Sequence, residues 1–401
     1  MIKFKYSTII HTLFQNSNIA SQHISMNDHQ GVSLRYCEVM SQHNPENSQS
    51  NASMSEIQSS YYRYHSRKVL FLLSVSFGIL FLVGIAASFG SYELDLVSVY
   101  TTIFAGIFPG MGIPESVANT IIWDIRLPRI SMAIVCGASL GVAGAILQGV
   151  LRNPLAEPFT LGISSAAAMG ASLAIIGGLK LFGAYSVVLN AFISAFLATM
   201  VIYSIAKSKG MTPEAIILAG IAIMFLLDAV TSFMQYLGTA EQVQAVVFWM
   251  MGSVSVANWE TVFIVFCIAV IAIPYLIYKA SDLTIIGAGD ETAHSLGINV
   301  EHVRMRTLIF AALLTASVTA FCGIIGFVGL VSPHITRMAI GGDNRYVIPG
   351  SALVGGILLL GADTVARTIL APMILPVGIM TALVGVPFFM FLFMRKRKEL
   401  W

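Results

Sequence analysis

The sequence predicts an all-α, polytopic membrane protein of about ten transmembrane helices, and three observations lead there. Of the 401 residues, 56% are hydrophobic and only 10% charged, whereas a soluble domain carries about 25% charged residues. A mean hydropathy of +0.81 leaves too little polar surface to face water, so the bilayer class precedes any motif. The apolar residues form continuous runs rather than alternating ones, which excludes a transmembrane barrel, and unpaired backbone groups are not tolerated in lipid, which leaves helices.

The elements follow in chain order. Residues 1–60 are rich in Ser, Asn, Gln and His and lack a sustained apolar period. They are expected to be a disordered N-terminal extension, with Met40 or Met54 as candidate starts. Residues 61–401 form the membrane domain. A span takes roughly 20 apolar residues, and runs at 69–89, 130–151, 160–179, 183–205, 214–237, 258–278, 305–322, 324–340, 347–367 and 376–394 qualify as spans. The stretch from Ser91 to Asp124 is acidic, lacks Lys and Arg, and reads as a loop on the outer side.

Orientation follows from the basic residues. With the N-terminus inside and ten crossings, only Arg126, Arg129, Lys180 and Arg367 of the 22 Lys and Arg fall outside. Both termini are therefore expected in the cytoplasm, including the tail Arg395-Lys396-Arg397-Lys398. Gly144 precedes Asn153-Pro154 by the spacing at which Gly323 precedes Ser332-Pro333. This is a faint internal repeat, inverted if the two helices run oppositely, and inverted repeats with broken helices suit alternating access.

Other classes find little support. A net charge of +2 without a basic, aromatic-interleaved patch argues against nucleic acid. Cys37, Cys136, Cys267 and Cys322 make no CxxC pair and read as small side chains. His334 has no second ligand nearby, so no metal or cofactor is expected. There is no GxxxxGK[ST], HExxH or GxSxG, so the chain carries no P-loop for ATP and no recognisable hydrolytic centre. Asp228 and Asp363 are isolated acids within apolar runs, thin material for an ion-coupled transporter or a membrane-embedded enzyme.

Four stretches are more specific. Arg126–Ala171 reads RLPRISMAIVCGASLGVAGAILQGVLRNPLAEPFTLGISSAAAMGA; Asp290–Gly297 reads DETAHSLG; Gly326–His334 reads GFVGLVSPH; and GADTVAR at 361–367 is followed by LPVG at 375–378. Together they resemble the FecCD-type permeases, membrane subunits of ABC importers for iron–siderophore, haem and cobalamin. The resemblance covers residues 66–398. One departure is Ser164-Ser165-Ala166-Ala167, where the family usually has SSGA. The resemblance implies a BtuC-like, type II importer permease in the cytoplasmic membrane. It implies a homodimer, two cytoplasmic ATPase subunits and an extracytoplasmic solute-binding protein, with an iron(III) chelate as the first choice of cargo.

The candidate site residues fall in three groups. Arg126 and Arg129 sit three apart on one helical face, and Arg367 ends the ninth span at the same side. Two readings are open: snorkelling to lipid phosphates, or docking carboxylates of a binding protein, the role the resemblance implies. The polar segment Ser281–Arg306 is long for a connector, and the resemblance makes it the contact with the ATPase, through Glu291, Ala293, Leu296 and Gly297. Asn153 and Pro154 read as a turn, Pro333 as a second break, and Gln148 as a polar side chain facing protein or the pathway. Gly137, Gly141 and Gly144 fall at i, i+4, i+7 and allow close helix approach.

Overall fold

A computed structural model describes residues 45–90, 94–108, 117–180 and 183–394, with side chains from His65. The chain separates after Arg63 into a leader and a body that starts at Tyr64. Residues 1–44 and 395–401 lie outside the described residues, and with them Cys37, Met40, the basic tail and most of the segment expected to be disordered.

All regular structure among the described residues is helical. α1 (Pro45–Ser88) starts ahead of the apolar run, and its membrane-crossing part is His65–Ser88. α2 (Leu96–Ile107) is capped by the Asp95 side chain on the Val97 N–H. α3 (Val117–Leu151) contains a π-helical segment, Ile121–Arg126. After a turn and a 3-10 segment (Pro158–Leu161) come α4 (Ile163–Ile175), α5 (Ser186–Ser208) and α6 (Pro213–Leu237). Next are α7 (Ala240–Met250), α8 (Trp259–Tyr278), α9 (Ala280–Gly287) and α10 (Asp290–Ser295). α11 (Val300–Cys322), α12 (Val328–Ile340), α13 (Asn344–Thr368) and α14 (Val377–Met394) complete the body.

Each of the ten expected runs contains a helix. Seven are long and apolar enough to cross a membrane, while α4 and α12 have 13 residues each and α14 has 18. Two helices lie where loops were expected. α2 falls in the acidic stretch, and α7 carries a reciprocal cap between Thr239 and Gln242, a Thr-x-x-Gln signature present in the sequence.

α3 is the axis of the packing. Its apolar window is 78% buried, against 11% for α1 and 22% for α6. The glycines explain how. A Cβ on Gly137 would stand 2.2 Å from the Gly355 carbonyl oxygen, one on Gly141 2.2 Å from that of Ser351, and one on Gly144 1.8 Å from that of Gly329. Bare backbone faces thus let α3 touch α12 and α13 directly, and dispersion over that contact replaces the hydrophobic drive that lipid removes. The matching glycine spacing is not a structural equivalence: Gly144 lies inside α3, whereas Gly323 caps α11 with φ 71. Pro333 lies buried inside α12 rather than breaking it, whereas Pro154 sits in the turn after α3. What the two halves share is a long helix followed by a break and a 13-residue helix, α3 then α4, and α11 then α12.

Candidate functional site

Two clusters of arginines, each around a single aspartate, lie at the two ends of the stretch along α3 from Arg129 to Arg152. Arg129 and Arg152 are 23 residues apart, or roughly 35 Å at 1.5 Å per residue.

At the first end, Arg129 holds Asp363 of α13 bidentately, Nε to both carboxylate oxygens at 3.1 and 3.0 Å and Nη2 to Oδ1 at 2.8 Å. Arg367, one turn further along α13, approaches the same carboxylate at 3.5 Å. Arg367 also donates to the carbonyls of Phe89, at 3.0 Å, and Ala86. Arg126, at the close of the π-helical segment, donates to the carbonyls of Ala87 and, at 3.1 Å, Ser88. These are the last carbonyls of α1, which have no partner within the helix and carry the negative end of its dipole. The sequence expectation that the three arginines share one side is met in space. They face inward, however: Arg126 is 6% exposed, and Arg129 and Arg367 side chains are 14% and 9% exposed. Asp363, read as isolated from sequence, is the fully buried centre of the cluster. Its i,i+4 relation to Arg367 was the available signal.

At the second end, Asp290 opens α10. Arg304 of α11 donates to its two carboxylate oxygens at 3.0 and 2.9 Å, and to the Met211 carbonyl at 3.2 Å. Arg152, just past α3, donates to Asp290 Oδ1 and to the Ile286 carbonyl of α9. Arg304 is 2% exposed, Asp290 38% and Arg152 34%. A guanidinium as buried as that of Arg304 requires a paired charge, and Asp290 supplies it. Sequence reading passed over all three residues, because the partners lie 138 and 14 positions from Asp290 and follow no helical period.

The remaining candidates separate. Glu291, Leu296 and Gly297 stand exposed on or beside α10, Leu296 at 65%. Ala293 is fully buried, so it seats α10 against the body instead of presenting a surface. Asn153 makes the expected turn, its side-chain oxygen accepting from the Leu155 N–H at 2.9 Å. Gln148 faces protein: it donates to the Leu330 carbonyl at 3.2 Å and accepts from Arg337, tying α3 to α12. His334 meets Phe389 edge-on with ring centroids 6.5 Å apart, and no cluster able to hold a metal is present among the described residues. Cys136 and Cys322 are buried free thiols 3.7 Å apart.

Comparison with known proteins agrees with this architecture. An ABC transporter permease protein of Methanocaldococcus jannaschii is 43% identical over 86% of this chain and 99% of its own length. The hemin transport system permease of Yersinia pestis is 40% identical over 69% of this chain and 84% of its own. The cobalamin import system permease of Halobacterium salinarum is 42% identical over 70% and 75%. Among solved structures, a transporter of metal-chelate type in an inward-facing conformation superposes with a TM-score of 0.71 at 28% identity, covering 82% of this chain and all of that one. The model of the FecCD transport family matches residues 78–395, and the chain, a multi-pass membrane permease, belongs to that family.

Proposed function

We propose that this chain is the membrane-spanning subunit of an ATP-driven importer that carries an iron(III) chelate of the siderophore type across the cytoplasmic membrane. It works as a homodimer with two ATPase subunits, and a solute-binding protein delivers the cargo. The observation that carries the reading is the pair of short helices α9 and α10 between two spans, which presents Glu291, Leu296 and Gly297 to solvent. An exposed leucine and an acid at one short helix offer a partner surface both an apolar contact and a charge. The sequence has no GxxxxGK[ST] motif, which supports a separate subunit as the source of the ATP chemistry.

The basic-residue distribution supports a cytoplasmic Asp290 end and cytoplasmic termini, with the Arg129 end outside. Three guanidinium groups gather there with one carboxylate, which two of them contact, and the surplus positive charge steers an acidic docking protein even though the side chains themselves are engaged within the chain. The weakly buried faces of α6 and α1 are available to the second copy and to lipid. Haem or cobalamin is the second reading of the cargo, favoured by relatives at 40% and 42% identity whose names specify hemin and cobalamin.

Co-expression with candidate ATPase and binding-protein subunits tests this. The ATPase is expected to co-purify, and to be lost on joint Glu291→Lys and Leu296→Asp substitution. Proteoliposomes of the complex are then offered a ferric hydroxamate chelate, haemin and cyanocobalamin. ATP-dependent uptake of the chelate alone supports the first reading, and uptake of either of the others transfers the assignment to that cargo. Recovery of the chain without an ATPase, with uptake that ignores ATP, rules out an ATP-driven mechanism.

A further inference from the structure

Resting on that reading, we propose that Asp290 is a positioning residue that makes the α9–α10 segment move as one piece with α3 and α11, so that a push from the ATPase reaches the spanning helices. The contact surface itself lies on Glu291, Leu296 and Gly297, but these residues sit on a helix of only six residues in which Ala293 alone is buried. A short, shallowly seated helix would absorb a push by local rearrangement. Asp290 prevents this by its position. Its carboxylate takes Arg304 from α11 and Arg152 from the end of α3. The same two arginines extend to the Ile286 carbonyl of α9 and the Met211 carbonyl between α5 and α6. One acid thus gathers α9, α10, α3, α11 and the α5–α6 turn.

The backbone supports the assignment independently. Among the described residues, three non-glycine residues have positive φ: Arg152 at 49°, Met211 at 54° and Phe327 at 67°. The first two belong to this cluster. A left-handed residue just past a helix is ordinarily glycine, and an L side chain there is strained. At Arg152 the side chain reaches both Asp290 and α9, and at Met211 the left-handed backbone presents the carbonyl that Arg304 uses. Strain held at one partner of the carboxylate, Arg152, and at the residue its other partner grips, Met211, points to a mechanical role for the joint.

The test uses the complete complex in proteoliposomes, with the cargo probe that the wild type imports from the three named above. Asp290→Asn is expected to retain the co-purifying ATPase and to hydrolyse ATP within about twofold of wild type, while uptake per ATP hydrolysed falls by about tenfold or more. Asp290→Glu is expected to restore most of that ratio. Arg152→Gln, which leaves the buried Arg304–Asp290 pair intact, is expected to lower it by about threefold. An Asp290→Asn complex with the wild-type ratio overturns the proposal. So does one that loses the ATPase altogether, since Asp290 would then be a docking residue. If Asp290→Asn does not fold, an unchanged ratio in Arg152→Gln overturns it. A wild-type chain that recovers no ATPase fails at the earlier step and removes the function reading together with this one.

Discussion

Asp363 and Asp290 each gather two arginines at opposite ends of the Arg129–Arg152 stretch along α3, yet Asp363 is 0% exposed on a 25-residue helix, whereas Asp290 is 38% exposed on a helix of six. Chemistry is shared and setting is not. Around Asp363 both partners are nearly dry, and Arg129 binds with two parallel contacts, the strongest geometry available to the pair. Around Asp290 one arginine is buried and the other meets water, so half of the cluster is screened. The first arrangement clasps the end of α1 to α3 and α13, and the second ties α9 and α10 to α3 and α11 at the water-facing edge of the body. An arginine's place in a sequence motif therefore does not state its task, which depends on the burial of its carboxylate.

The comparison is most directly broken at Asp363. Asp363→Ala leaves two buried guanidinium groups without their shared anion, and removing one partner of a buried pair costs about 3–5 kcal/mol. The folded yield in detergent and the midpoint of thermal unfolding are expected to fall sharply. If the midpoint of Asp363→Ala stays at that of wild type, the cluster is not the clasp described here.

A second test addresses the rod between the clusters. Gly144→Ala places a methyl group 1.8 Å from the Gly329 carbonyl oxygen, whereas Gly149→Ala meets nothing nearer than 3.8 Å. The former is expected to destabilise by about 1–3 kcal/mol through overpacking, and the latter to be near neutral or slightly favourable, since alanine is the better helix former. Equal thermal midpoints for the two would mean that α3 does not need its backbone contact with α12.

At the other end, Asp290→Asn is expected to cost less than Asp363→Asn, about 1–2 kcal/mol: the buried Arg304 loses its paired charge, but the asparagine oxygen still accepts from it, Asp290 is 38% exposed and its pairing with Arg152 meets water. Thermal midpoints measured side by side with Asp363→Asn sharpen the contrast, and a larger loss for Asp290→Asn would invert it.

These differences mark how far the sequence could be read. Hydropathy located every span that contains a helix, because a run of apolar residues is dictated by the bilayer itself. The turn at Asn153 and the close approach at Gly137, Gly141 and Gly144 were also legible, since local chemistry decides both. Arg126, Arg129 and Arg367 were recognised, but not their inward direction, because that depends on Asp363 lying 234 positions from Arg129. Asp290 was missed for the same reason, and Ala293 was taken for a surface residue because burial of a six-residue helix leaves no period to read. α7 was missed although its Thr239–Gln242 cap stood in plain view; the helix is too short to show an apolar stripe against its neighbours.

The smallest expected effect comes from a third aspartate, at the Asp290 end. Asp343 caps α13 and pairs with Arg345 at 2.8 Å and Lys68 at 3.4 Å. Burial opposes its charge, but the hydrogen bonds from Arg345 and the nearby positive charges outweigh burial and hold the carboxyl below its usual range. A carboxyl depressed in the folded state adds stability that is complete above the unfolded value, near pH 3.9, and is lost as the pH falls from there through the folded value. Unfolding midpoints of wild type and Asp343→Asn are therefore expected to differ by a constant amount from pH 5 to 8 and to converge below about pH 4. Arg345 is 62% exposed, so added salt should shrink the difference. A gap that persists in acid would show that Asp343 stabilises α13 through its neutral hydrogen bonds alone.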